Sequence, residues 1–296
     1  MPFGKIKLND GNEIPSIAFG TGSSMKGKDV TEYVEQAIEK GFSHIDTAQY
    51  YQTEPYVGKA IREEGLRRDE LFITTKFGFG KVSEVFQNSL KQLSLKQVDL
   101  YLIHSPSAIE GTIENTWREF EKIKDAGLAK SIGVSNFSVQ QLKDLQKVAK
   151  IQPAVNQIRF HPYNWEENKE LVEYAAQQGI VIEAYSSLTP ITQQPGGPVD
   201  PVLKTIGKRL GATPAQVIFA WVKSKGAVIV TTTSKKERLD EYLAVGDLPE
   251  LSEAEIAAIE EAGAQGGQRV SMNRRRFLAV VAGGAFFYGV RWLLRA

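Results

Sequence analysis

The stretch GFSHIDTAQYYQTEPYVG, residues 41–58, decides the fold and contains the first candidate site residues. Its residues from Ser43 to Asp46 predict a short strand, and Glu54 begins a predicted helix after an intervening turn. Asp46 and Tyr51 therefore lie between a strand and a helix, where the next strand cannot cover them. They face whatever the following loops enclose. The alternative is a structural role, in which Asp46 caps the helix and Tyr51 fills the rim.

The rest of the chain repeats this strand-to-helix pattern, giving eight units in all. The predicted strands are 16–19, 43–46, 72–75, 98–103, 131–134, 155–158, 181–184 and 227–230, and the predicted helices are 30–40, 54 onward, 82–93, 113–125, 139–149, 166–178, 201–210 with 214–225, and 235–243. Strands that are apolar on both faces are typical of a buried parallel sheet. Eight such units predict an α/β fold, a closed (β/α)8 TIM barrel. The alternative is a doubly wound open sheet, for which the turn at 20–22 is only a weak signal.

The composition is that of a globular protein without a metal or nucleic-acid signature. The chain has 296 residues, of which 42% are hydrophobic and 24% charged, and its net charge is +1. No electrostatic argument therefore favours nucleic acid as a partner. The absence of cysteine excludes disulfides and thiolate catalysis, and three histidines without a close pair predict no metal site. Because no secretory signal precedes the first strands, we expect a cytoplasmic protein.

Reactive side chains recur at the carboxyl ends of the predicted strands. Besides Asp46, they are Lys76, His104, Ser135, Asn136, Gln157, Tyr185 and the run 231–234. Each one alone has an ordinary explanation as a rim charge, a cap or a turn residue. In a closed barrel, however, these strand ends share one face, and that face holds the active site. The recurrence therefore predicts a single site.

These residue types suit proton donation to a carbonyl group. A phenol has an unperturbed pKa of about 10, so Tyr51 needs help to donate a proton at neutral pH. The ammonium of Lys76 would lower the pKa of Tyr51, and Asp46 would hold Lys76 in place and charged. His104 would donate a hydrogen bond to the carbonyl oxygen or relay the proton. Because proton donation contributes only about 10²–10⁴-fold, a bound hydride donor must supply the harder step.

Six motifs, taken in order, resemble the aldo-keto reductases: GFSHIDTAQYY, ITTKF, LYLIHSP, IGVSNF, VNQIRFHPY and AYSSL. The resemblance covers residues 3–262. It implies a (β/α)8 barrel closed at its bottom by an N-terminal hairpin, which the runs 5–8 and 13–17 around Asp10-Gly11 also predict. It further implies metal-free hydride transfer from NADPH to an aldehyde or ketone. The family's catalytic tetrad falls on Asp46, Tyr51, Lys76 and His104, with the tyrosine as general acid.

The same resemblance implies the cofactor contacts. The matching residues are Ser135, Asn136 and Gln157 at the nicotinamide carboxamide, Tyr185 as the ring stacked on the nicotinamide, Ser186 and Leu188 along the pyrophosphate, and Arg238 at the adenosine end. Many members then have a Pro-Lys-Ser run whose lysine meets the 2′-phosphate, and this chain has Thr232 at that lysine position. Thr233, Ser234 and Lys235 at a helix N-terminus could still bind the phosphate. We therefore expect NADPH, with NADH as the alternative.

The substrate pocket departs from the family pattern. Many members line it with two tryptophans, at positions that hold Gly22 and Ser105 here. We expect a more open pocket that accepts bulky or dicarbonyl substrates. The candidate replacements for the tryptophans are Tyr50, Phe77, Phe79 and Trp165, and the equal alternative for each is ordinary packing at the rim. The Thr-Ser-Lys run resembles the fungal branch that reduces ketoamides and conjugated polyketones.

The last residues predict a helical apolar tail beyond the barrel. Residues 1–262 form the predicted barrel, 263–273 a polar linker and 274–296 a basic and apolar tail. Between Phe277 and Leu294 only Arg291 is charged. A helix of eighteen residues spans about 27 Å, close to a hydrocarbon thickness of about 30 Å. The pattern predicts a membrane anchor on a cytoplasmic enzyme. The alternatives are a docked helix, an interfacial helix and a gene-model artefact.

Two other functions stay open at this point. One is a membrane-tethered NADP(H)-binding sensor or auxiliary subunit with little catalysis, because some barrels of this family serve that way. The intact set of Asp46, Tyr51, Lys76 and His104 argues against it, since a sensor need not keep all four. A barrel isomerase would leave Tyr51 and Lys76 unexplained. We expect a monomer that acts on small carbonyl compounds.

Overall fold

The chain begins with a hairpin that precedes the barrel. The computed structural model describes residues 3–266. Its first two strands, β1 (Lys5–Lys7) and β2 (Glu13–Pro15), pair antiparallel with Ile6 opposite Ile14. Gly11 in the connecting turn has a φ of 87°, a left-handed conformation that glycine adopts without strain. The predicted hairpin is confirmed.

The next eight strands are parallel and close into a barrel. They are β3 (Ile17–Gly20), β4 (His44–Asp46), β5 (Phe72–Phe77), β6 (Val98–Ile103), β7 (Ala129–Ser135), β8 (Val155–Arg159), β9 (Val181–Tyr185) and β10 (Val228–Thr231). They follow each other in chain order around the barrel, and β10 pairs back to β3. This closing pair confirms the predicted (β/α)8 barrel and excludes the open sheet.

The helices surround the barrel and begin and end at ordinary sequence signals. They are α1 (Thr31–Lys40), α2 (Glu54–Glu63), α3 (Val82–Leu93), α4 (Ile113–Asp125), α5 (Val139–Val148), α6 (Trp165–Gln177), α7 (Thr189–Thr192), α8 (Val199–Leu210), α9 (Pro214–Ser224), α10 (Lys236–Leu243) and α11 (253–266). Gly41 and Gly211 end α1 and α8 in the left-handed conformation. Ser138 and Thr213 begin α5 and α9 with capping boxes.

The interior of the barrel has two chemically different halves. The half near the hairpin holds a buried apolar cluster, which consists of Leu8, Ile14, Phe72, Leu100, Leu102, Ala154, Val155 and Val228. Because Leu8 and Ile14 belong to the hairpin segment, the hairpin closes this end of the barrel. The half near the carboxyl ends of the strands holds a buried polar cluster, which consists of His44, Asp46, Thr74, Lys76, Gln157 and Glu183.

The C-terminal part of the described chain corrects one prediction. The polar linker was expected to begin at 263, but residues 263–266 continue α11. That helix packs closely on the loop after β8, because a Cβ added at Gly263 would lie 2.3 Å from the carbonyl oxygen of Pro162. No helix within 3–266 has the length and hydropathy needed to cross a bilayer. The predicted tail at 274–296 lies outside the described residues and stays a prediction.

Candidate active site

A cavity of about 420 Å³ opens at the carboxyl ends of the barrel strands. Asp46, Tyr51 and Gln157 line one end of it, and Thr232 and Arg238 line the other. The strand ends after β3, β4, β8, β9 and β10 therefore contribute to one elongated site. This is the face on which the recurring polar residues were expected to meet.

Lys76 and Asp46 form a buried ion pair at the centre of this face. Both lie on neighbouring strands, β5 and β4, and their side chains are 0% and 2% exposed. The Lys76 Nζ donates to Asp46 Oδ1 over 2.5 Å and to the Thr47 carbonyl over 2.9 Å. Burial alone would lower the pKa of Lys76, but the charge of Asp46 and its hydrogen bond raise it above its usual value. Lys76 is therefore a fixed ammonium at neutral pH.

Tyr51 lies on a short helical turn, Gln49–Tyr51, with its ring against two of the other three predicted catalytic groups. The Lys76 Nζ is 5.0 Å from the Tyr51 ring centroid, and the His104 ring meets it edge-on with centroids 5.3 Å apart. A Cβ added at Gly22 would lie 2.8 Å from Tyr51 Cζ. The glycine found in place of the family's tryptophan thus makes room for the phenol ring.

The protonation of Tyr51 differs from the expectation. Burial raises the pKa of Tyr51 above its usual value, and the lowering effect of Lys76 does not offset it. The charge of Asp46 adds to the increase. The prediction of a lowered pKa is therefore wrong in its net direction, although Lys76 acts in the expected sense. The phenol stays protonated at neutral pH, which is the form that can donate a proton.

His104 directly follows β6 and is uncharged. Burial lowers the pKa of His104 to about 3, and the charges of Lys76 and Lys26 act in the same direction. A neutral imidazole donates a hydrogen bond without adding a charge. This favours hydrogen-bond donation over relay through an imidazolium, the two roles that the sequence left open.

The four residues predicted at the nicotinamide come together in one hydrogen-bonded set. Ser135 Oγ donates to the Gln157 carbonyl over 2.7 Å, and Asn136 Nδ2 donates to Ser135 Oγ over 3.0 Å. The Tyr185 hydroxyl donates to Asn136 Oδ1 over 2.8 Å. The Gln157 side chain connects this set to the ion pair, because its Nε2 donates to Asp46 Oδ2 over 2.9 Å.

The residues predicted at the phosphates separate into two groups. Ser186, Leu188 and Arg238 line the cavity. The other three predicted residues, Thr233, Ser234 and Lys235, do not line it. Thr233 is buried, and its Oγ1 accepts from the Lys235 amide over 3.1 Å. Ser234 and Lys235 are exposed beside the cavity. Among residues 3–266, no side chain caps the start of α10. The first N–H groups of α10 and Arg238 are available to an anion at this end.

Two of the four candidate pocket aromatics are wrong. Phe77 is 2% exposed and packs against Phe120, and Trp165 is 6% exposed and packs against Trp221. Both belong to the layer between barrel and helices. By contrast, Tyr50 and Phe79 are 52% and 58% exposed. The Tyr50 ring centroid lies 6.1 Å from that of His104, so Tyr50 lies at the mouth of the site.

Sequence reasoning missed three members of the polar cluster. Glu183 Oε2 accepts from Gln157 Nε2 over 3.0 Å, and His44 Nε2 lies 2.8 Å from Thr74 Oγ1 and 3.8 Å from Glu183 Oε1. The available signal was alternation. Glu183 lies two positions before Tyr185, and His44 two before Asp46, so each pair shares a strand face.

Comparison with known proteins gives matches over most of the chain. The model of the Aldo/keto reductase family matches residues 16–264. A glyoxal reductase of Bacillus subtilis is 39% identical over 261 residues, which cover 86% of this chain and 91% of the relative. An NAD/NADP-dependent indole-3-acetaldehyde reductase of Schizosaccharomyces pombe is 35% identical over 274 residues, which cover 88% and 96%. The relatives are bacterial as well as fungal, so the fungal branch stays a prediction.

Solved structures of the same kind are similar in fold and sequence. A Bombyx mori aldo-keto reductase in complex with NADP has a TM-score of 0.79 and 33% identity, covering 88% of this chain and 92% of that chain. An aldo-keto reductase complexed with NADPH has a TM-score of 0.81 and 32% identity, covering 90% and 88%.

Proposed function

Because the chain belongs to the aldo/keto reductase family and is therefore an NAD(P)H-dependent oxidoreductase, we propose that it reduces aldehydes and ketones to alcohols with NADPH. The observation that carries this proposal is the contact of the Tyr51 ring with both the Lys76 ammonium and the neutral His104 ring. Two relatives are named for the aldehydes that they reduce, indole-3-acetaldehyde and glyoxal.

The site residues fit a nicotinamide dinucleotide. Gln157 and Tyr185 line one end of the elongated cavity, where they supply an amide for a carboxamide and an aromatic ring, and Ser135 and Asn136 are hydrogen-bonded to these two residues. The uncapped start of α10 and the guanidinium of Arg238 suit a phosphate at the other end. Two similar solved structures contain NADP or NADPH. When bound, NADPH supplies the hydride.

The protein side of the reaction is proton donation in a preorganised charge environment. Tyr51 is protonated at neutral pH because burial raises its pKa, so it can give its proton to the carbonyl oxygen as that oxygen becomes negative. Lys76 stabilises the phenolate that remains, and Asp46 fixes Lys76 beside it. His104, as a neutral donor, helps to orient the carbonyl group. Such proton donation contributes roughly 10²–10⁴-fold.

The open mouth of the site supports bulky or dicarbonyl compounds, including α-ketoamides, as substrates. The Tyr51 ring packs directly on Gly22, and the exposed rings of Tyr50 and Phe79 offer apolar contact without closing the entrance. One relative is named for glyoxal, which is a dicarbonyl. A panel of aldehydes, α-ketoamides and diketones would rank these classes by kcat/KM.

The test of the function is NADPH oxidation by the wild type and by Tyr51→Phe. We expect Tyr51→Phe to lose about 10²-fold or more in kcat while it binds NADPH normally, because only the proton donor is removed. Tyr56→Phe on α2 is the matched control and should turn over like the wild type. Unchanged turnover in Tyr51→Phe would remove Tyr51 from the acid role. NADPH binding without turnover of any carbonyl would favour the sensor instead.

We also propose that residues 274–296 anchor the enzyme to a membrane. The support is compositional: eighteen residues, 277–294, with one charge, preceded by the basic cluster Arg274–Arg276. Fractionation of the full chain against one truncated after Gly267 tests this, because the truncation keeps α11. Recovery of both proteins in the aqueous fraction would reject the anchor. The expected monomer also stays a prediction.

A further inference from the structure

Glu183 is a buried acid in the middle of the barrel that the proposed chemistry does not use. It lies on β9 and is 0% exposed. One of its oxygens, Oε2, accepts from Gln157 Nε2 over 3.0 Å. The other, Oε1, has no hydrogen-bond partner within residues 3–266. A carboxylate in this position would be a buried charge with one oxygen unpaired, which is costly.

Within residues 3–266, no cation donates a hydrogen bond to Glu183, although the charge of Lys76 favours its ionised form. The groups that face it are His44 and Asp46 from β4, Lys76 from β5 and the amide of Gln157 from β8. Burial lowers the pKa of His44 to about 3, so the 3.8 Å contact between its Nε2 and Glu183 is not an ion pair. The hydrogen bonds of the Lys76 ammonium go to Asp46 and Thr47.

The geometry also places a second carboxyl group close to Glu183. A single nitrogen, Gln157 Nε2, donates both to Asp46 Oδ2 over 2.9 Å and to Glu183 Oε2 over 3.0 Å. Two carboxyl groups that share a buried site do not both ionise readily. Asp46 is paired with Lys76, so Glu183 is the one that keeps its proton. Burial and the charge of Asp46 accordingly raise the pKa of Glu183 to about 8.

We propose that Glu183 is a positioning residue for the reduction, which supports catalysis in its neutral form and suppresses it when ionised. The proposal rests on the proposed function of the same site. Neutral Glu183 leaves the Asp46–Lys76 pair without excess charge and helps to fix the Gln157 amide, whose Nε2 points into the barrel. The Gln157 Oε1 is then free to accept from the nicotinamide carboxamide.

Ionised Glu183 would oppose the proton donor. A negative charge on Glu183 would stabilise the Lys76 ammonium further and raise the pKa of Tyr51, so that Tyr51 becomes a weaker acid. It would also disfavour the negative charge that develops on the substrate oxygen. Among the other groups of the site, the pKa values of His44 and His104 are lowered to about 3, and those of Tyr51 and Lys76 lie above their usual high values. Glu183 is therefore the group that titrates near pH 8.

The experiment compares the pH profiles of kcat for the wild type and Glu183→Gln, which stays neutral at every pH. We expect the wild-type kcat for reduction to fall about tenfold between pH 7 and 9.5, and that of Glu183→Gln to change less than about twofold. The matched control is Glu54→Gln. Glu54 is also buried with a raised pKa, but it lies on α2 and accepts from Thr75, so this variant should keep the wild-type decline.

Three results would overturn the proposal. They are a flat wild-type profile, an unchanged alkaline decline in Glu183→Gln, and loss of that decline in Glu54→Gln. The first of these needs no variant, so the proposal stays testable if Glu183→Gln does not fold.

An infrared measurement separates this proposal from the proposed function. Between pH 7 and 9, the wild type should lose a protonated-carboxyl band that Glu183→Gln lacks, whether or not any carbonyl is reduced. A wild type without this band at pH 7 would overturn the inference. Failure of the proposed function would instead appear as absent turnover in a protein that still shows the band.

Discussion

The two halves of the barrel interior belong to one closed barrel but follow opposite energetic rules. In the apolar cluster near the hairpin, Ile14, Leu100 and Val228 are each 0% exposed, and burial of one such side chain contributes about 1.5–3 kcal/mol. In the polar cluster, Lys76 and Glu183 are also 0% exposed, but burying them costs free energy unless partners satisfy them. The apolar half stabilises the fold, and the polar half is maintained for its chemistry.

The two halves should therefore respond differently to substitution. The apolar cluster depends on volume, so a substitution there should affect stability and leave the chemistry alone. The polar cluster depends on charge and hydrogen-bond partners, so a substitution of similar volume should affect both stability and chemistry. Three predictions test this contrast, in order of decreasing expected effect.

The largest effect is expected for Lys76→Met in the polar cluster. The variant keeps the volume but leaves Asp46 buried without its cation, which costs about 3–5 kcal/mol of stability. Reduction should fall by at least about 10²–10⁴-fold, because Tyr51 loses the ammonium that stabilises its phenolate. Urea unfolding and NADPH oxidation measure the two losses.

The control for this variant is the double substitution Lys76→Met with Asp46→Asn. Removing both charges should restore most of the stability but none of the activity. If Lys76→Met were as stable as the double variant, Lys76 and Asp46 would not be a coupled buried charge pair. The contrast between the two halves would then fail.

The second effect is expected for Leu100→Ala in the apolar cluster. The cavity left behind should cost about 2–5 kcal/mol of unfolding free energy, while kcat per folded molecule stays unchanged. Leu100→Met is the matched control and should cost less than about 1.5 kcal/mol. If Leu100→Ala lowered the kcat per folded molecule, the apolar half would not be separate from the chemistry.

Much of this contrast was readable from the sequence, because a closed barrel brings every strand end to one face. That rule alone places Asp46, Lys76 and His104 together, although they lie up to 58 residues apart in the chain. Alternation within strands would also have indicated Glu183. Phe77 was misplaced because residues at a strand end can face either the site or the surrounding helices.

The charge states were not readable in the same way. The raised pKa of Tyr51 results from burial that outweighs Lys76, and the raised pKa of Glu183 results from burial and the charge of Asp46. Both pKa values depend on contacts between residues far apart in the chain, so a single sequence motif does not predict them. The helical character of residues 263–266 was missed for a related reason, because it depends on packing against Pro162.

The smallest effect is expected at the far end of the cavity, where the polar group is exposed rather than buried. Arg238 lines the cavity at the solvent-exposed start of α10, so Arg238→Ala should leave stability within about 0.5 kcal/mol. If its guanidinium binds the 2′-phosphate, the KM for NADPH should rise about tenfold while the KM for NADH stays the same, since only NADPH carries that charge.

Lys235→Ala is the matched control. Because Lys235 is exposed beside the cavity and does not line it, the KM for NADPH should rise less in Lys235→Ala than in Arg238→Ala. Steady-state kinetics with both cofactors measures the difference. If Lys235→Ala raised the KM for NADPH more than Arg238→Ala did, the phosphate would bind outside the cavity. If the KM values for NADPH and NADH rose equally, neither residue would bind the 2′-phosphate.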